Sequence, residues 1–113
     1  MIKILNCCYY FSKSMDLLKS VRFTNNGYFT VKAIIQYTLR GYTVTENIIL
    51  ERRRTKKFNL PRDSTNICLN ILNLSNPDPI KSVLYHECIS GEENVCFEIS
   101  NTTENPVITR NIC

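Results

Sequence analysis

Six cysteines, one histidine and a run of five cations carry the conspicuous chemistry of this 113-residue chain. The cysteines stand at 7, 8, 68, 88, 96 and 113. Structural metal centres use thiolates or imidazoles at short, repeated spacings, and no Cys-x-x-Cys occurs here. His86 is the single histidine. No metal and no cofactor is therefore expected. His86 lies in Tyr85-His86-Glu87-Cys88, a thiol near a base, which is the pairing a thiol nucleophile needs. On a strand, His86 and Cys88 share one face and Glu87 points to the other. Nothing around them suggests donors for an oxyanion, so the chain does not read as an enzyme. The acids Glu92 and Glu93 fit a solvated hairpin tip.

The thiols fall into two groups. Cys68, Cys88 and Cys96 lie in the body of the chain. Cys88 and Cys96 flank Gly91-Glu92-Glu93-Asn94 and are the candidates for an intradomain disulfide, with Cys68 left as a buried thiol. Cys7, Cys8 and Cys113 lie near the two ends. Adjacent cysteines rarely bond to each other, because so short a ring strains the intervening peptide. Cys7 and Cys8 each want a different partner, which neighbouring subunits supply most easily. These three are the candidates for cross-links between subunits. Around the pair, Ile4, Leu5, Tyr9, Tyr10 and Phe11 form a docking arm able to lay apolar side chains on another surface.

Arg52-Arg53-Arg54-Thr55-Lys56-Lys57 packs five cations into six residues. Anionic surfaces reward such clusters. Few aromatics interleave with them, so base stacking and specific nucleic-acid recognition are not expected. A strand carrying cations on both faces suits a sheet edge or a protruding hairpin.

The elements that must position these groups read as β. Phe29, Val31, Ala33, Ile35, Tyr37 and Leu39 alternate with mostly polar residues, a period-two pattern with one buried face. It follows Asn25-Asn26-Gly27, a turn signal in which Gly27 can take positive φ. Arg40-Gly41 turns the chain into Tyr42–Leu50, where Val44, Ile48 and Leu50 share a face. Further strands are expected over 51–60, 66–74, 80–89, 95–100 and 107–112, punctuated by Pro61, by Asn76-Pro77-Asp78-Pro79 and by Pro106. The Gly91 turn is expected to join a hairpin. Ser14–Leu18 has room for one helical turn. The fold expected is an all-β, antiparallel sandwich of about seven short strands, residues 20–113, behind an N-terminal arm, residues 1–19. No apolar run is long enough to form a transmembrane helix, and the first residues lack the pattern of a classical export signal. Disulfides imply an oxidising setting such as a cell or spore surface.

The segment Asn26-Gly27-Tyr28-Phe29-Thr30-Val31-Lys32-Ala33-Ile34-Ile35-Gln36-Tyr37 resembles the start of the C-terminal β-sandwich of the cholesterol-dependent cytolysins. Leu60-Pro61-Arg62-Asp63-Ser64-Thr65-Asn66-Ile67 resembles a later strand start of that family, and Cys96-Phe97-Glu98-Ile99-Ser100-Asn101-Thr102-Thr103-Glu104-Asn105-Pro106 its closing segment. The resemblance spans about residues 20–110. It implies the fold, and a binding module for an acidic surface, glycan or lipid headgroup. It does not imply sterol recognition. The family's anchoring loop is rich in tryptophan, and this chain has none. The loop in that place, "NLSNPDPIKS", is polar, and the family's Thr-Leu pair falls on Thr103-Glu104, where a carboxylate resists desolvation. Leu5-Asn6-Cys7-Cys8 is similar to the arm of bacterial endospore appendage subunits. That likeness implies a self-assembling structural protein, a filament or surface layer of identical copies cross-linked through its ends. Self-assembly is the leading expectation from the sequence, and the binding module its alternative.

Overall fold

The computed structural model describes residues 19–75, 82–89 and 94–113. The proposed arm, with Ile4, Leu5, Cys7, Cys8, Tyr9, Tyr10 and Phe11, and the helical turn at Ser14–Leu18 lie outside the described residues.

Eight strands follow in order. They are β1 (Lys19–Asn25), β2 (Val31–Leu39), β3 (Tyr42–Leu50), β4 (Arg54–Leu60), β5 (Thr65–Asn73), β6 (Val83–Ile89), β7 (Val95–Asn101) and β8 (Pro106–Ile112). Two four-stranded sheets result, one ordered β4-β1-β7-β8 and the other β3-β2-β5-β6. Every pairing is antiparallel except β1 with β7, which is parallel. The all-β sandwich expected from the alternation is what forms.

Alternation explains the core. Val31, Ala33, Ile35 and Tyr37 of β2 and Ile67, Leu69 and Ile71 of β5 are buried between the sheets. The opposite sheet answers with Val21 and Phe23 of β1, Phe58 and Leu60 of β4, and Val95, Phe97 and Ile99 of β7. Phe23 joins the aromatics. Its ring stacks on Phe97 at 5.6 Å and meets Phe58 edge-on at 5.9 Å, while Tyr85 of β6 reaches Phe97 from the other sheet at 5.7 Å. Tyr37 donates its hydroxyl to Glu46 Oε2 at 3.0 Å. Burial, and then the Glu46 carboxylate, raise that phenol above its ordinary value.

Four local expectations are corrected. Lys19–Asn25 is a central strand, which its sequence announces poorly because only Val21 and Phe23 are apolar on the buried face and Asn25 completes it. Residues 51–53 are a turn, so β4 starts at Arg54. Gly27 does not need positive φ. Its role is close approach, since a Cβ there would lie 2.8 Å from the Phe29 ring. Positive φ falls instead on Arg40 (52°) and Gly41 (85°), the two-residue turn between β2 and β3, and on Arg53, Asn66 and Asn101. Finally, β6 and β7 are not a hairpin, for they belong to different sheets.

That last point rewires the thiols. Cys88 and Cys96 sit in opposite sheets and do not bond. Cys68 and Cys88 are directly opposite each other on β5 and β6 and form a disulfide, with Cα atoms 3.9 Å apart. Cys68 is thus not the free thiol expected. Cys96 bonds to Cys113, Cα atoms 5.4 Å apart. Cys113 extends β8, next to β7, on the same outward face as Cys96. It is therefore consumed within the chain and does not serve as a cross-link between subunits. Each bridge ties a sheet-edge strand, β6 or β8, to its inner neighbour. The same two edges meet across the sandwich, where Glu87 of β6 accepts from Arg110 of β8 as well as from Tyr85 of its own strand.

Because Phe97 contacts rings from both sheets and is 1% exposed, Phe97→Ala should lower unfolding free energy by about 4 kcal/mol in urea titration.

Candidate functional site

Strand order and register gather the connections at two ends. Residues 26–30, 51–53, 74–75 and 102–105 lie at one of them. Backbone bonds tie these loops across the sheets: Arg53 N–H to Asn25 O, Tyr28 N–H to Asn101 O at 2.9 Å, and Leu74 N–H to Thr30 O at 3.0 Å. Residues 76–81, which include most of the polar loop "NLSNPDPIKS", lie outside the described residues.

Asn25 organises this end. It is fully buried, and its amide is used on both sides. Nδ2 donates to Phe29 O at 2.7 Å and to Leu50 O at 3.0 Å, and Oδ1 accepts from Gly27 N–H at 2.9 Å. One side chain thus fixes the β1–β2 loop and the end of β3. Its backbone carbonyl then fixes the β3–β4 turn through Arg53. The turn is short because Arg54 N–H bonds back to Glu51 O at 3.1 Å, and it closes with Arg53 at φ 69°.

This turn projects cations. Arg52, Arg53, Arg54, Lys56 and Lys57 are all exposed, and β4 is an edge strand of its sheet. The Arg52 guanidinium lies 3.9 Å from the centre of the Tyr28 ring, and Lys56 Nζ lies 5.5 Å from that of Phe58. Tyr28 is itself 65% exposed. Exposed large apolar side chains concentrate at the same end. Tyr28 and Leu74 are in its loops; Ile49, Val83 and Val107 lie at the adjoining ends of edge strands β3, β6 and β8. Tyr42, at the β2–β3 turn, is the exposed large apolar residue of the far end.

Thr103 and Glu104 sit in the β7–β8 connection of this end. The Glu104 carboxylate accepts from its own backbone N–H and from the Thr103 and Thr102 hydroxyls, which hold its carboxyl below the ordinary value. It is ionised at neutral pH. Any stability from this depression is present above the unfolded-state value and is lost as pH falls through the folded one.

The far end carries the two disulfides and the exposed Arg40–Asp63 pair at 3.8 Å. His86 and Cys88 share the outer face of the second sheet, as the alternation requires. His86 Nδ1 is 2.8 Å from Asn70 Oδ1, and its Nε2 is 3.8 Å from Cys88 Sγ. Sequence reasoning paired His86 with Cys88 but missed Asn70, which only strand register brings alongside. It also missed Tyr28 and Asn25 as site residues. Their signal was a turn sequence, "NNGY", with an aromatic no core position requires. No group of three or more His, Cys, Asp or Glu side chains is placed to hold a metal ion among the described residues. No helix there is long and apolar enough to cross a membrane.

The architecture defines a class. Two packed four-stranded sheets in this connectivity are the fold of the membrane-binding β-sandwich of the cholesterol-dependent cytolysins. Suilysin, a cytotoxin from Streptococcus suis, matches with a TM-score of 0.65 and 14% identity over 85% of this chain and 23% of the toxin. Listeriolysin O matches with a TM-score of 0.64 and 12% identity over 85% of this chain and 22% of its own. The membrane-binding domain of pneumolysin, solved by itself, gives 0.61 and 12% identity over 85% of this chain and 97% of that domain. This chain therefore spans less than a quarter of the length of the two whole toxins. Identity this low shows a shared fold. No family model matches the chain, and no curated protein matches it.

Two variants check how the end is built. Asn25→Ala leaves two carbonyls and one N–H unpaired, and should cost about 3 kcal/mol in urea unfolding. Arg53→Gly removes a side chain from a left-handed position and should raise stability by about 0.5 kcal/mol, read from the thermal midpoint.

Proposed function

We propose that this chain is a non-enzymatic binding module that lays its loop end on an anionic, membrane-like surface. The observation that carries the reading is the joining of Arg52, Arg53 and Arg54 to the exposed Tyr28 and Leu74 at one end of a cytolysin-type sandwich. Arginine is well matched to phosphate oxygens, which it engages bidentately. Tyrosine favours the headgroup level of a bilayer, with its ring in apolar surroundings and its hydroxyl wet. A basic residue near an anionic leaflet contributes about 1 kcal/mol, so the five-cation run offers a useful electrostatic contact. The description of the pneumolysin domain as membrane-binding agrees with this use of the fold.

The contact proposed is superficial and independent of sterol. Tryptophan is absent from the whole chain, and Glu104, ionised where the toxin family has leucine, opposes burial in hydrocarbon. A surface contact of this kind fits an extracellular or cell-surface setting, as do the two disulfides. Self-assembly into a cross-linked filament is the second reading. Its support is now the adjacent Cys7 and Cys8, since Cys113 is bonded to Cys96. A ladder on non-reducing gels that collapses with reductant is its expected sign.

Arg53→Glu with Lys56→Glu should weaken binding to phosphatidylserine-containing vesicles by about 4 kcal/mol, roughly a thousand-fold, at low salt. Native binding should fall as salt rises and should not change when cholesterol is added. Binding that survives the double reversal, or that requires cholesterol, overturns the reading.

A further inference from the structure

The outer face of the second sheet carries an arrangement that the loop end does not use. Its strand rows are set by register. Asn47 of β3, Ile34 of β2, Asn70 of β5 and His86 of β6 form one row; Thr45, Gln36, Cys68 and Cys88 form the next. Asn70 Oδ1 engages His86 Nδ1, leaving Nε2 directed at Cys88 Sγ. This is an orienting amide, an imidazole and a sulfur in series, the relation in which an imidazole activates a thiol. The sulfur is held in the Cys68–Cys88 disulfide. Cys88 is exposed and Cys68 half-buried. Both border an open groove lined also by Lys19, Ser64, Thr65 and Ile89.

We propose that Cys68–Cys88 is a thiol–disulfide exchange site, with His86 as the group that stabilises Cys88 when it leaves. A thiolate of an external dithiol attacks Cys68 Sγ from the groove. A new S–S bond forms to Cys68, and the Cys68–Cys88 bond breaks with its electron pair on Cys88. His86, doubly protonated, stabilises the Cys88 thiolate so formed, with Nδ1–H donating to Asn70 Oδ1 and Nε2–H to Cys88 Sγ. The second thiol of the reductant gives its proton to water and displaces Cys68, which takes a proton from water. The protein disulfide gains two electrons and two protons, and the dithiol becomes a disulfide. Exchange is faster when the leaving sulfur is the more stable thiolate, and His86 supplies that difference at Cys88 alone.

The rows around His86 and Cys88 carry no other charge. Lys32 of β2 is one row beyond, opposite Leu72, and Glu87 points to the other side of β6, where Tyr85 and Arg110 hold it. The second bridge is an internal control. Cys96 is 9% exposed, and with His86 the only histidine, Cys96–Cys113 has no imidazole. Opening Cys68–Cys88 frees edge strand β6 from its covalent tie to β5 and leaves the loop end chemically unchanged.

The test uses the full native chain with limiting dithiothreitol at pH 7, followed by alkylation and peptide mass mapping. Cys68–Cys88 should open at least about ten-fold faster than Cys96–Cys113, a ratio that should shrink in His86→Gln while the Cys96–Cys113 rate stays put. Equal rates in the native chain, or a ratio that His86→Gln does not change, overturn the proposal. In Cys68→Ser, the alkylation midpoint of Cys88 should lie at least about one pH unit below the ordinary thiol value of about 8.5. Adding His86→Gln should move it back up. A midpoint at the ordinary value also overturns the proposal. Vesicle binding measured in parallel tells this failure from failure of the surface-binding reading, because the residues are different.

Discussion

The fold hangs on a buried amide. Asn25 stands at the end of a central strand, where the two sheets are bridged by loops whose backbone groups have no ladder to join. A buried carbonyl or N–H without a partner costs about 1–3 kcal/mol, so a loop crossing between sheets needs donors and acceptors supplied locally. Asn25 supplies two donors and one acceptor in one place. An apolar residue would satisfy the packing there and orphan three groups. Aspartate would turn its second oxygen on two carbonyls. The amide alone has the complement that Phe29 O, Leu50 O and Gly27 N–H require. Gly27 follows from the same geometry, since the loop must pass so close to the Phe29 ring that no Cβ fits.

The consequence for function is positional. A turn fixed from below by Asn25 is a hydrogen-bonded platform, and on it the sequence has mounted arginines rather than a glycine-rich tip. Arg53 occupies a left-handed backbone position that glycine fits better. Stability alone does not favour arginine there. The proposed surface contact would favour charge there, and the stacking of Arg52 on Tyr28 holds a cation and an aromatic ring as one amphipathic unit. The far end is built differently. There the edge strands are secured by disulfides and by the Glu87–Arg110 seam, so edge fraying is opposed by covalent and ionic ties.

Much of this was legible from residue order. Alternating Phe29, Val31, Ala33, Ile35 and Tyr37 specify a strand and its buried face, and strands rich in β-branched residues separated by Pro, Asn and Gly specify a sandwich. The basic run reads as an edge because its cations occupy both faces. What periodicity does not encode is which strands become neighbours. Cys88 and Cys96 lie eight positions apart and look like hairpin partners; the chain instead crosses from one sheet to the other between them. Cys68 with Cys88, and Asn70 with His86, are brought together by β5–β6 pairing across roughly twenty residues of sequence. β1 was obscured for a related reason. Its buried face ends in asparagine, which no hydrophobic pattern registers, and its parallel partner β7 lies some seventy residues away.

A shared fold at 9–14% identity leaves the surface free to vary. Core positions here need only apolar volume at the right parity, which many sequences provide. Beyond Asn25 and Gly27, the exposed positions of the loop end are under no such packing constraint, and their composition is unlike that of a membrane-penetrating tip. The chain has no tryptophan, the β3–β4 turn and the start of β4 carry Arg52, Arg53 and Arg54, and in the β7–β8 connection the Glu104 carboxylate is stabilised in its ionised form by Thr102, Thr103 and its own backbone. These charged groups raise the cost of entering hydrocarbon. Long-range attraction to phosphate acts over about a Debye length, near 8 Å at physiological salt, whereas hydrophobic insertion acts only at contact. Under the proposed surface contact, a tip of this chemistry would select a surface by its charge before touching it, and the exposed Tyr28 ring would then set how closely it rests.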